Sequence, residues 1–384
     1  MRILLDMRWM APGVAGGLEN HARALLGELI ALDRQSEYTV LLPAGRRAAF
    51  DFRAVPNFNS VYLDSSSGRP GRARDALRRL VRPDASFERF DPEVAYSFQG
   101  YIRPDLLRLR HVLNVPDLQH QVLPEFFTAR AFNERQRTYG ESIRRAGHVC
   151  TYSEFTRRTL IERLDADPAR ITAVPLAADP IFHPADPAGT EDTLRRYGLR
   201  PGSYLFFPAH TWHHKNHKAA LRALEILRDR HGSDWMLVCS GGKREAQPEI
   251  ERLIGARGLA GNVVFLGYCP RDDMPALYSG ARCLVFPSLF EGFGLPVIEA
   301  MASGCPVVSS NVTSLPEVAG DAALLIDPND PEAIAGAVWR LTEDAGLRAS
   351  LVERGLERAA LFSWRNHALE TLRVLRRVHG QAGS

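Results

Sequence analysis

The sequence predicts an α/β protein made of two Rossmann-like, doubly wound domains with mainly parallel sheets. Along nearly the whole chain of 384 residues, short apolar runs alternate with segments of helical period. That alternation is typical of βα units. A chain of this length exceeds one ordinary hydrophobic core, so two to three domains are expected.

The N-terminal domain is predicted over residues 1–175. Its candidate strands are residues 3–6, 38–42, 61–63, 94–97, 112–115, 149–152 and 171–174. The helix after the first strand is predicted from about Gly17 to Leu32, because apolar residues recur there with helical spacing. Residues 176–189 are rich in proline and have no clear period, so they are predicted to form a hinge between domains.

The C-terminal domain is predicted over residues 190–362, where the alternation restarts. Its candidate strands are residues 204–208, 235–240, 263–266, 283–286, 306–309 and 323–326. Its candidate helices are residues 216–230, 248–257, 271–279, 295–303 and 331–342. Residues 363–384 form a final amphipathic helix with no strand after it, and the pattern leaves open which domain it packs on.

Composition and charge argue against several classes of protein. A net charge of +3, without a stripe of basic and aromatic residues, is not typical of a nucleic-acid-binding protein. No window approaches the ~20 apolar residues of a transmembrane helix, and the apolar run at residues 1–6 is too short for a signal peptide. The five cysteines are odd in number and lie far apart, which predicts reduced core thiols and a cytoplasmic protein.

The strongest chemical signal is the stretch of residues 290–308. A strand ends before it, a turn containing Gly292 and Gly294 follows, and a helix is predicted to begin at Leu295. The free N–H groups at such a helix start form an anion site suited to a diphosphate. Glu291 and Glu299 can both turn a carboxylate towards vicinal sugar hydroxyls. The alternative is that Glu299 is only a solvated helix residue.

This stretch resembles the donor-site signature of glycosyltransferase family four, a large retaining family with the GT-B fold. Residues 204–217, 267–288 and 316–330 resemble the same family in order and spacing, and residues 12–26 resemble its first glycine loop and helix. The resemblance implies two domains facing across a cleft. It also implies the transfer of a sugar from a nucleotide diphosphate to an acceptor, with no metal or other cofactor.

The family's residue roles can be carried over to matching positions. The resemblance implies that Glu291 contacts hydroxyls of the donor sugar and that Glu299 contacts the nucleoside ribose. The backbone of the turn would hold the sugar and the phosphate through Gly292, Phe293, Gly294 and Leu295.

The family also places a basic pair after the first strand of the second domain, where it neutralises the leaving diphosphate. Lys215 matches the lysine of that pair, and His210 stands where the arginine is usual. Beside a diphosphate, His210 would be pushed towards its protonated form. Further histidines follow nearby, but no acidic or cysteine ligand is adjacent, so a metal site is not predicted.

Two features of the N-terminal domain are predicted to lie near the ligands. By resemblance, the backbone amides of Gly16 and Gly17 lie near the donor phosphate, although a plain helix start is the alternative. Glu19 follows in the first turn of that helix and is assigned to the acceptor side. The alternative is that this acidic side chain only interacts favourably with the positive end of the helix dipole.

The loop after residues 112–115 carries the other candidate catalytic groups. The family commonly has His-Asp at this position, whereas this chain has Pro116 and Asp117, with His120 three residues further on. Asp117 or His120 is predicted to contact the acceptor hydroxyl or the 6-hydroxyl of the sugar. A purely structural loop role is the alternative for each.

A basic run at residues 69–82 has helical spacing and is predicted to be a solvated helix face. The alternative is a surface that contacts anionic lipid at the inner face of the membrane. The arginines concerned are Arg72, Arg74, Arg78, Arg79 and Arg82.

The sequence therefore predicts a retaining hexosyltransferase of polysaccharide biosynthesis in the cell envelope, with mannose favoured and a glycan or lipid-linked acceptor. The predicted mechanism is a metal-independent front-face substitution, with Lys215, Glu291, Asp117 and His120 at the reaction. The alternatives are a GT-B-like epimerase or a catalytically idle subunit that binds a nucleotide sugar. The departures at His210 and Pro116 are what suggest the idle subunit. The donor base is not determined.

Overall fold

The structure, a computed structural model, describes residues 1–10, 16–43, 52, 54–63 and 87–380. It divides into two compact units, Met1–Pro175 with Trp364–Ser384, and Leu176–Ser363. The final helix therefore belongs to the N-terminal unit, which resolves the question that its pattern left open. The basic run that contains Arg72, Arg74, Arg78, Arg79 and Arg82 lies outside the described residues.

Each unit contains one sheet in which every strand pair is parallel. The N-terminal strands are β1 (Arg2–Asp6), β2 (Glu37–Pro43), β3 (Phe58–Leu63), β4 (Val94–Ser97), β5 (Arg110–Val115), β6 (His148–Thr151) and β7 (Ile171–Ala173). The C-terminal strands are β8 (Tyr204–Pro208), β9 (Met236–Ser240), β10 (Val263–Gly267), β11 (Cys283–Phe286), β12 (Val307–Ser310) and β13 (Leu324–Ile326). The strand orders are β3-β2-β1-β4-β5-β6-β7 and β10-β9-β8-β11-β12-β13.

Helices accompany both sheets. Those of the N-terminal unit are α1 (Gly17–Leu32), α2 (Gln119–Val122), α3 (Ala129–Arg145), α4 (Glu154–Leu164) and α13 (Trp364–Gly380). Those of the C-terminal unit are α5 (Pro187–Arg196), α6 (His217–His231), α7 (Gln247–Ala256), α8 (Met274–Ser279), α9 (Leu295–Ala302), α10 (Leu315–Ala319), α11 (Pro331–Glu343) and α12 (Ala345–Ala360).

The N-terminal sheet is buried on both faces, as its strand β1 illustrates. Ile3 and Leu5 join the core that includes apolar residues of α1 and α13, whereas Leu4 joins a second core on the other face. Successive side chains of a strand point to opposite faces. Such a strand, buried on both sides, gives a continuous apolar run in the sequence, and that pattern is typical of parallel sheets covered by helices.

A buried chain of hydrogen bonds holds α13 in the N-terminal unit. Nδ1 of His367 donates to the carbonyl of Pro175 at 2.9 Å, which leaves its Nε2 to accept from Nε2 of His21 at 2.9 Å. Nδ1 of His21 then accepts from the hydroxyl of Tyr152, which accepts from Nδ2 of Asn114. Burial lowers the pKa of His367 to about 4, so the pair is neutral at pH 7.

Part of the segment predicted as a hinge is helical. Residues 187–189 form the first turn of α5, because Pro187 occupies a first-turn position and the Asp186 carboxylate accepts from the N–H of Gly189 at 3.0 Å. The whole segment 176–189 belongs to the C-terminal unit.

Two expectations from composition concern the cysteines and membrane spans. All five cysteines are buried and free, so the prediction of reduced core thiols is confirmed. In the described residues, no helix has the length and apolar character that crossing a bilayer requires.

Candidate active site

The predicted donor residues lie at one edge of the C-terminal sheet. Its strand order reverses between β8 and β11. In open parallel sheets, ligands bind outside the carboxyl ends of the strands at such a reversal. The loop after β8 carries Lys215, and the loop after β11 carries Glu291, so the topology brings both to the same place.

Lys215 and Glu291 form an ion pair. Nζ of Lys215 lies 2.6 Å from Oε1 of Glu291, and the two side chains are only 17% and 12% exposed. The ammonium also lies 5.4 Å from the centre of the Phe286 ring. Shielding from water strengthens the attraction between two opposite charges. The structure thus places a paired cation and anion where a charged ligand would arrive.

Hydrogen bonds from the Asn216 side chain and from one backbone N–H join the two loops. Asn216 has φ of +61°, and its Nδ2 donates to the carbonyls of Pro287 at 3.1 Å and Pro328 at 2.7 Å. The N–H of Leu289 donates to the carbonyl of His214 at 2.7 Å. Asparagine tolerates the left-handed conformation better than most residues. These contacts hold Lys215 and Glu291 in a fixed mutual position.

The loop that carries Glu291 is also held by the segment after β12. The N–H of Glu291 donates to Oγ1 of Thr313 at 3.2 Å, and the Ser314 hydroxyl lies 2.9 Å from the carbonyls of Glu291 and Phe293. Thr313 has φ of +60°, a strained conformation for a β-branched residue. Such strain is found where the surrounding structure over-determines a functional loop.

Helix α9 begins directly after this loop with an open N-terminus. Gly294 precedes it with φ of +109°, and a Cβ there would come within 2.6 Å of Cδ2 of Leu315, so only glycine fits. No side chain caps the helix, and Pro296 in the first turn has no N–H. The N–H of Val297 donates to the carbonyl of Gly294 at 2.9 Å, so the N–H of Leu295 is the first-turn donor left for an anion.

Glu299 lies one turn into α9, where burial changes its titration. The hydroxyl of Tyr278 donates to its Oε2 at 2.9 Å. Desolvation of the carboxylate raises the pKa of Glu299 to about 7. The hydrogen bond from Tyr278 lowers this pKa, but by less. Glu299 therefore changes its charge near neutral pH, which an exposed helix residue would not do.

The surroundings of His210 within the protein favour a neutral imidazole, and its protonation beside a diphosphate remains a prediction. Its Nδ1 accepts from the N–H of Gly242 at 2.7 Å, so its proton resides on Nε2. Burial lowers the pKa of His210, and the charges of Arg244 and Lys215 lower it further. His210 therefore presents an N–H donor, not a full positive charge.

Arg244 is a candidate functional residue that the sequence analysis missed. It lies in the loop after β9 and flanks Gly242 with His210, since a Cβ on that glycine would lie 3.2 Å from Nδ1 of His210 and 3.4 Å from Nη1 of Arg244. Its N–H donates to Oγ1 of Thr211 at 2.6 Å. A Gly-Gly-Lys-Arg sequence directly after a predicted strand was the available signal. Its guanidinium brings a positive charge close to His210, and that charge lowers the pKa of the histidine.

Two further histidines of this segment, His214 and His217, have surroundings that are typical of a structural role. His217 is buried and stacks on Phe207 with the ring centres 4.4 Å apart. Burial lowers the pKa of His214 to about 3 and that of His217 to about 3. Within the described ranges, no group of three or more potential ligand side chains is arranged to hold a metal ion.

The predicted residues near α1 lie at its first turn. Gly16 has φ of +56° and precedes the helix, and Gly17 is its first residue. Oε1 of Glu19 accepts from Nε of Arg23 at 2.9 Å, an i,i+4 pair along the helix. The assignments of Gly16 and Gly17 to the donor phosphate and of Glu19 to the acceptor remain predictions.

Asp117 and His120 have different surroundings. Oδ1 of Asp117 accepts from the N–H of Gln119 at 3.0 Å, a turn that starts α2. His120 is fully buried beside the rings of Phe127 and Tyr139, and neither ring nitrogen has a hydrogen-bond partner among the described residues. Burial lowers the pKa of His120 to about 4. Contact between His120 and an acceptor remains a prediction, and in this conformation its ring is enclosed.

Known proteins resemble the chain in sequence and in fold. Residues 197–358 match the family of glycosyl transferases group 1. The chain is 34% identical over 263 residues to O-antigen chain mannosyltransferase B of Escherichia coli, which covers 68% of this chain and 69% of that protein. It is 35% identical over 254 residues to D-inositol 3-phosphate glycosyltransferase of Acidothermus cellulolyticus, covering 63% of this chain and 56% of that protein.

A solved structure shows the same fold over the full chain. Sucrose-phosphate synthase from Thermosynechococcus elongatus matches 100% of both chains with a TM-score of 0.82 and 21% identity. The predicted fold class of two parallel-sheet α/β domains is thereby confirmed as the GT-B fold. Together with the sequence relatives, this places the chain in the family of glycosyl transferases group 1, as a glycosyltransferase.

Proposed function

We propose that this glycosyltransferase transfers a hexose, with mannose favoured, from a nucleotide diphosphate sugar to a glycan or lipid-linked acceptor. Transfer proceeds with retention and without a metal ion. The observation that carries the proposal is the Lys215–Glu291 ion pair beside the open N-terminus of α9. The preference for mannose rests on the similarity to the Escherichia coli relative, which is an O-antigen chain mannosyltransferase.

The site matches the separate parts of a nucleotide sugar. The diphosphate lies at the N-terminus of α9, where a backbone N–H and the Lys215 ammonium stabilise its negative charge. Glu291 accepts from hydroxyls of the sugar, and Glu299 accepts from the ribose. His210 and Arg244 supply a further N–H donor and a further cation, so the diphosphate is neutralised without a metal ion.

The chemical step is a front-face substitution. The bond between the anomeric carbon and the β-phosphate oxygen breaks, and the acceptor oxygen bonds to that carbon on the same face. The acceptor's proton passes to the leaving diphosphate. Retention through a covalent intermediate needs a free carboxylate beside the anomeric carbon, whereas Glu291 is engaged by Lys215. The protein acts by positioning the substrates and stabilising the charge on the diphosphate.

A donor screen tests the proposed function. Purified protein is incubated with UDP- and GDP-hexoses, with and without EDTA, and released nucleotide and binding are measured. Slow release from one donor at the same rate in EDTA is expected. Binding without release, with or without acceptor, would instead favour the idle subunit, and loss of release in EDTA would contradict metal independence. The anomeric configuration of the product, read by NMR, tests retention.

The affinity for the donor is expected to rise with pH between pH 6 and pH 8. The pKa of Glu299 is raised to about 7, so the ligand-free protein holds this proton below neutral pH. Ribose hydroxyls need the carboxylate as an acceptor, so donor binding expels the proton. About one tenth of the groups are ionised at pH 6 and about nine tenths at pH 8, which predicts a roughly tenfold change in Kd.

Isothermal titration with an intact nucleotide sugar measures this effect, because its diphosphate has no group that titrates in this range. The Glu299→Gln variant is the control and should lose the slope. A Kd of the wild type that is constant from pH 6 to pH 8 would contradict the role assigned to Glu299.

A further inference from the structure

The turn between β12 and α10 holds both backbone polar groups of Glu291. Oγ1 of Thr313 accepts from the N–H of Glu291 at 3.2 Å, and the Ser314 hydroxyl donates to the carbonyl of Glu291 at 2.9 Å. When the N–H and the carbonyl of a residue are both fixed, the direction in which its side chain leaves the backbone is fixed as well. The turn therefore controls where the Glu291 side chain starts.

Two further contacts join the same turn to residues 290–294. The Ser314 hydroxyl also lies 2.9 Å from the carbonyl of Phe293. Leu315 packs against Gly294 so closely that a Cβ on this glycine would lie 2.6 Å from Cδ2 of the leucine. Ser314 and Leu315 are both buried. The turn and the loop thus form one packed unit, because a movement of the loop would break buried contacts.

Thr313 contributes to this unit in a strained conformation. Its φ is +60°, in the left-handed region that is unfavourable for a side chain branched at Cβ. Among the described residues, the other non-glycine residues with positive φ are Asp91, Asp165 and Asn216, and none of them is branched in this way. A glycine would relieve the strain, but it has no hydroxyl to accept from Glu291. Strain of this kind is concentrated at functional sites.

The hydrogen bond from Glu291 to Thr313 complements the ion pair at the other end of the same residue. Lys215 holds Oε1 of Glu291 at 2.6 Å, and Thr313 holds its N–H. A carboxylate that accepts from sugar hydroxyls must keep its direction, because a misplacement of about 1 Å can lower a rate by about 10²-fold.

We propose that Thr313 is a positioning residue for sugar transfer, which holds the N–H of Glu291 so that its carboxylate is directed at hydroxyls of the donor sugar. The inference rests on the proposed function in taking Glu291 to contact that sugar. Thr313 acts only through Glu291, so its loss weakens transfer and leaves the binding of free nucleotide unchanged.

Three variants separate the hydroxyl of Thr313 from its backbone strain. Thr313→Val keeps the branched shape without the hydroxyl and should lower kcat/KM about tenfold. Thr313→Ser keeps the hydroxyl and should stay within about twofold of the wild type. Thr313→Gly relieves the strain but also lacks the hydroxyl, so it should melt at a higher temperature than Thr313→Val and yet transfer no faster. A purely structural role would make transfer follow stability.

Thr342→Val is the matched control. Thr342 is also half-buried in the C-terminal unit, and its hydroxyl donates to the carbonyl of Val338 at 3.3 Å. This variant should transfer like the wild type. Titration with UDP and GDP should give the same Kd for Thr313→Val as for the wild type. In a Glu291→Ala background, Thr313→Val should lower kcat/KM no further, because no carboxylate is left to position.

The Thr313 variants can overturn the proposal in three ways. Thr313→Val could keep the kcat/KM of the wild type, Thr313→Ser could lose as much as Thr313→Val, or Thr313→Val could have the same effect with and without the Glu291 carboxylate. In the last case Thr313 would act independently of Glu291. A failure of the proposed function is distinct, because Glu291→Ala would then itself transfer like the wild type.

Discussion

The Lys215→Met variant is expected to lose about 10²–10³-fold in kcat, the range measured when one group that stabilises developing negative charge is removed. Lys215 is the cation closest to Glu291, at 2.6 Å. Without Lys215, the leaving diphosphate loses a charge partner, and Glu291 stays unpaired beside it. The affinity for the donor should therefore fall together with kcat. Steady-state kinetics with the best donor measure both.

Lys218→Met is the matched control for this variant. Lys218 lies three residues further on, is 53% exposed and pairs with Glu249 at 2.9 Å. Exposed ion pairs contribute little to stability, so this variant should keep kcat within about twofold. Lys215→Arg preserves the charge and should retain more activity than Lys215→Met. If Lys215→Met kept more than a tenth of wild-type kcat, the assigned role would be wrong.

The Glu291→Gln variant is expected to weaken sugar transfer without weakening the binding of free nucleotide. Hydrogen bonds to a charged group contribute about 1.5–3 kcal/mol, so losing this carboxylate should lower kcat/KM by about 10–100-fold. Free nucleoside diphosphate should bind at least as tightly as before, because Lys215 is released from its partner and a negative charge is removed. Titration with UDP and GDP measures the second effect.

Glu249→Gln is the corresponding control, since Glu249 is also half-buried and also pairs with a lysine, Lys218. It should leave transfer and nucleotide binding unchanged. The double variant of Lys215 and Glu291 should lose less activity than the two single losses multiplied, because the two groups act on one another. Weaker nucleotide binding in parallel with weaker transfer would show that Glu291 does not compete for Lys215.

The strands of the fold were predictable from the sequence. Residues 94–97, 204–208 and 283–286 are strands with the predicted bounds, because each is a short apolar run between turn residues. The polar helices were not identified in this way. Helices α3 and α12 carry many charged residues and bury few side chains, so they contain few of the apolar residues from which the helices were identified.

The turn and the helix start of the predicted donor motif were predictable, because local sequence determines them. The Glu291–Glu299 stretch contains its own turn, helix start and carboxylates, and the structure places them as a local unit. Arg244 and Tyr278 were missed, because they reach this region from other loops and helices. Only the parallel pairing of β8 with β9 and with β11 brings those segments together.

By itself the sequence determined the class of fold, the position of the donor motif and the resemblance that identified the family. These depend on spacing along the chain, which is local. The tertiary structure decided that α13 packs in the N-terminal unit, that the surroundings of His210 favour a neutral imidazole and that Glu299 titrates near pH 7. Each of these depends on burial and on partners distant in sequence, because desolvation and hydrogen bonding act through space.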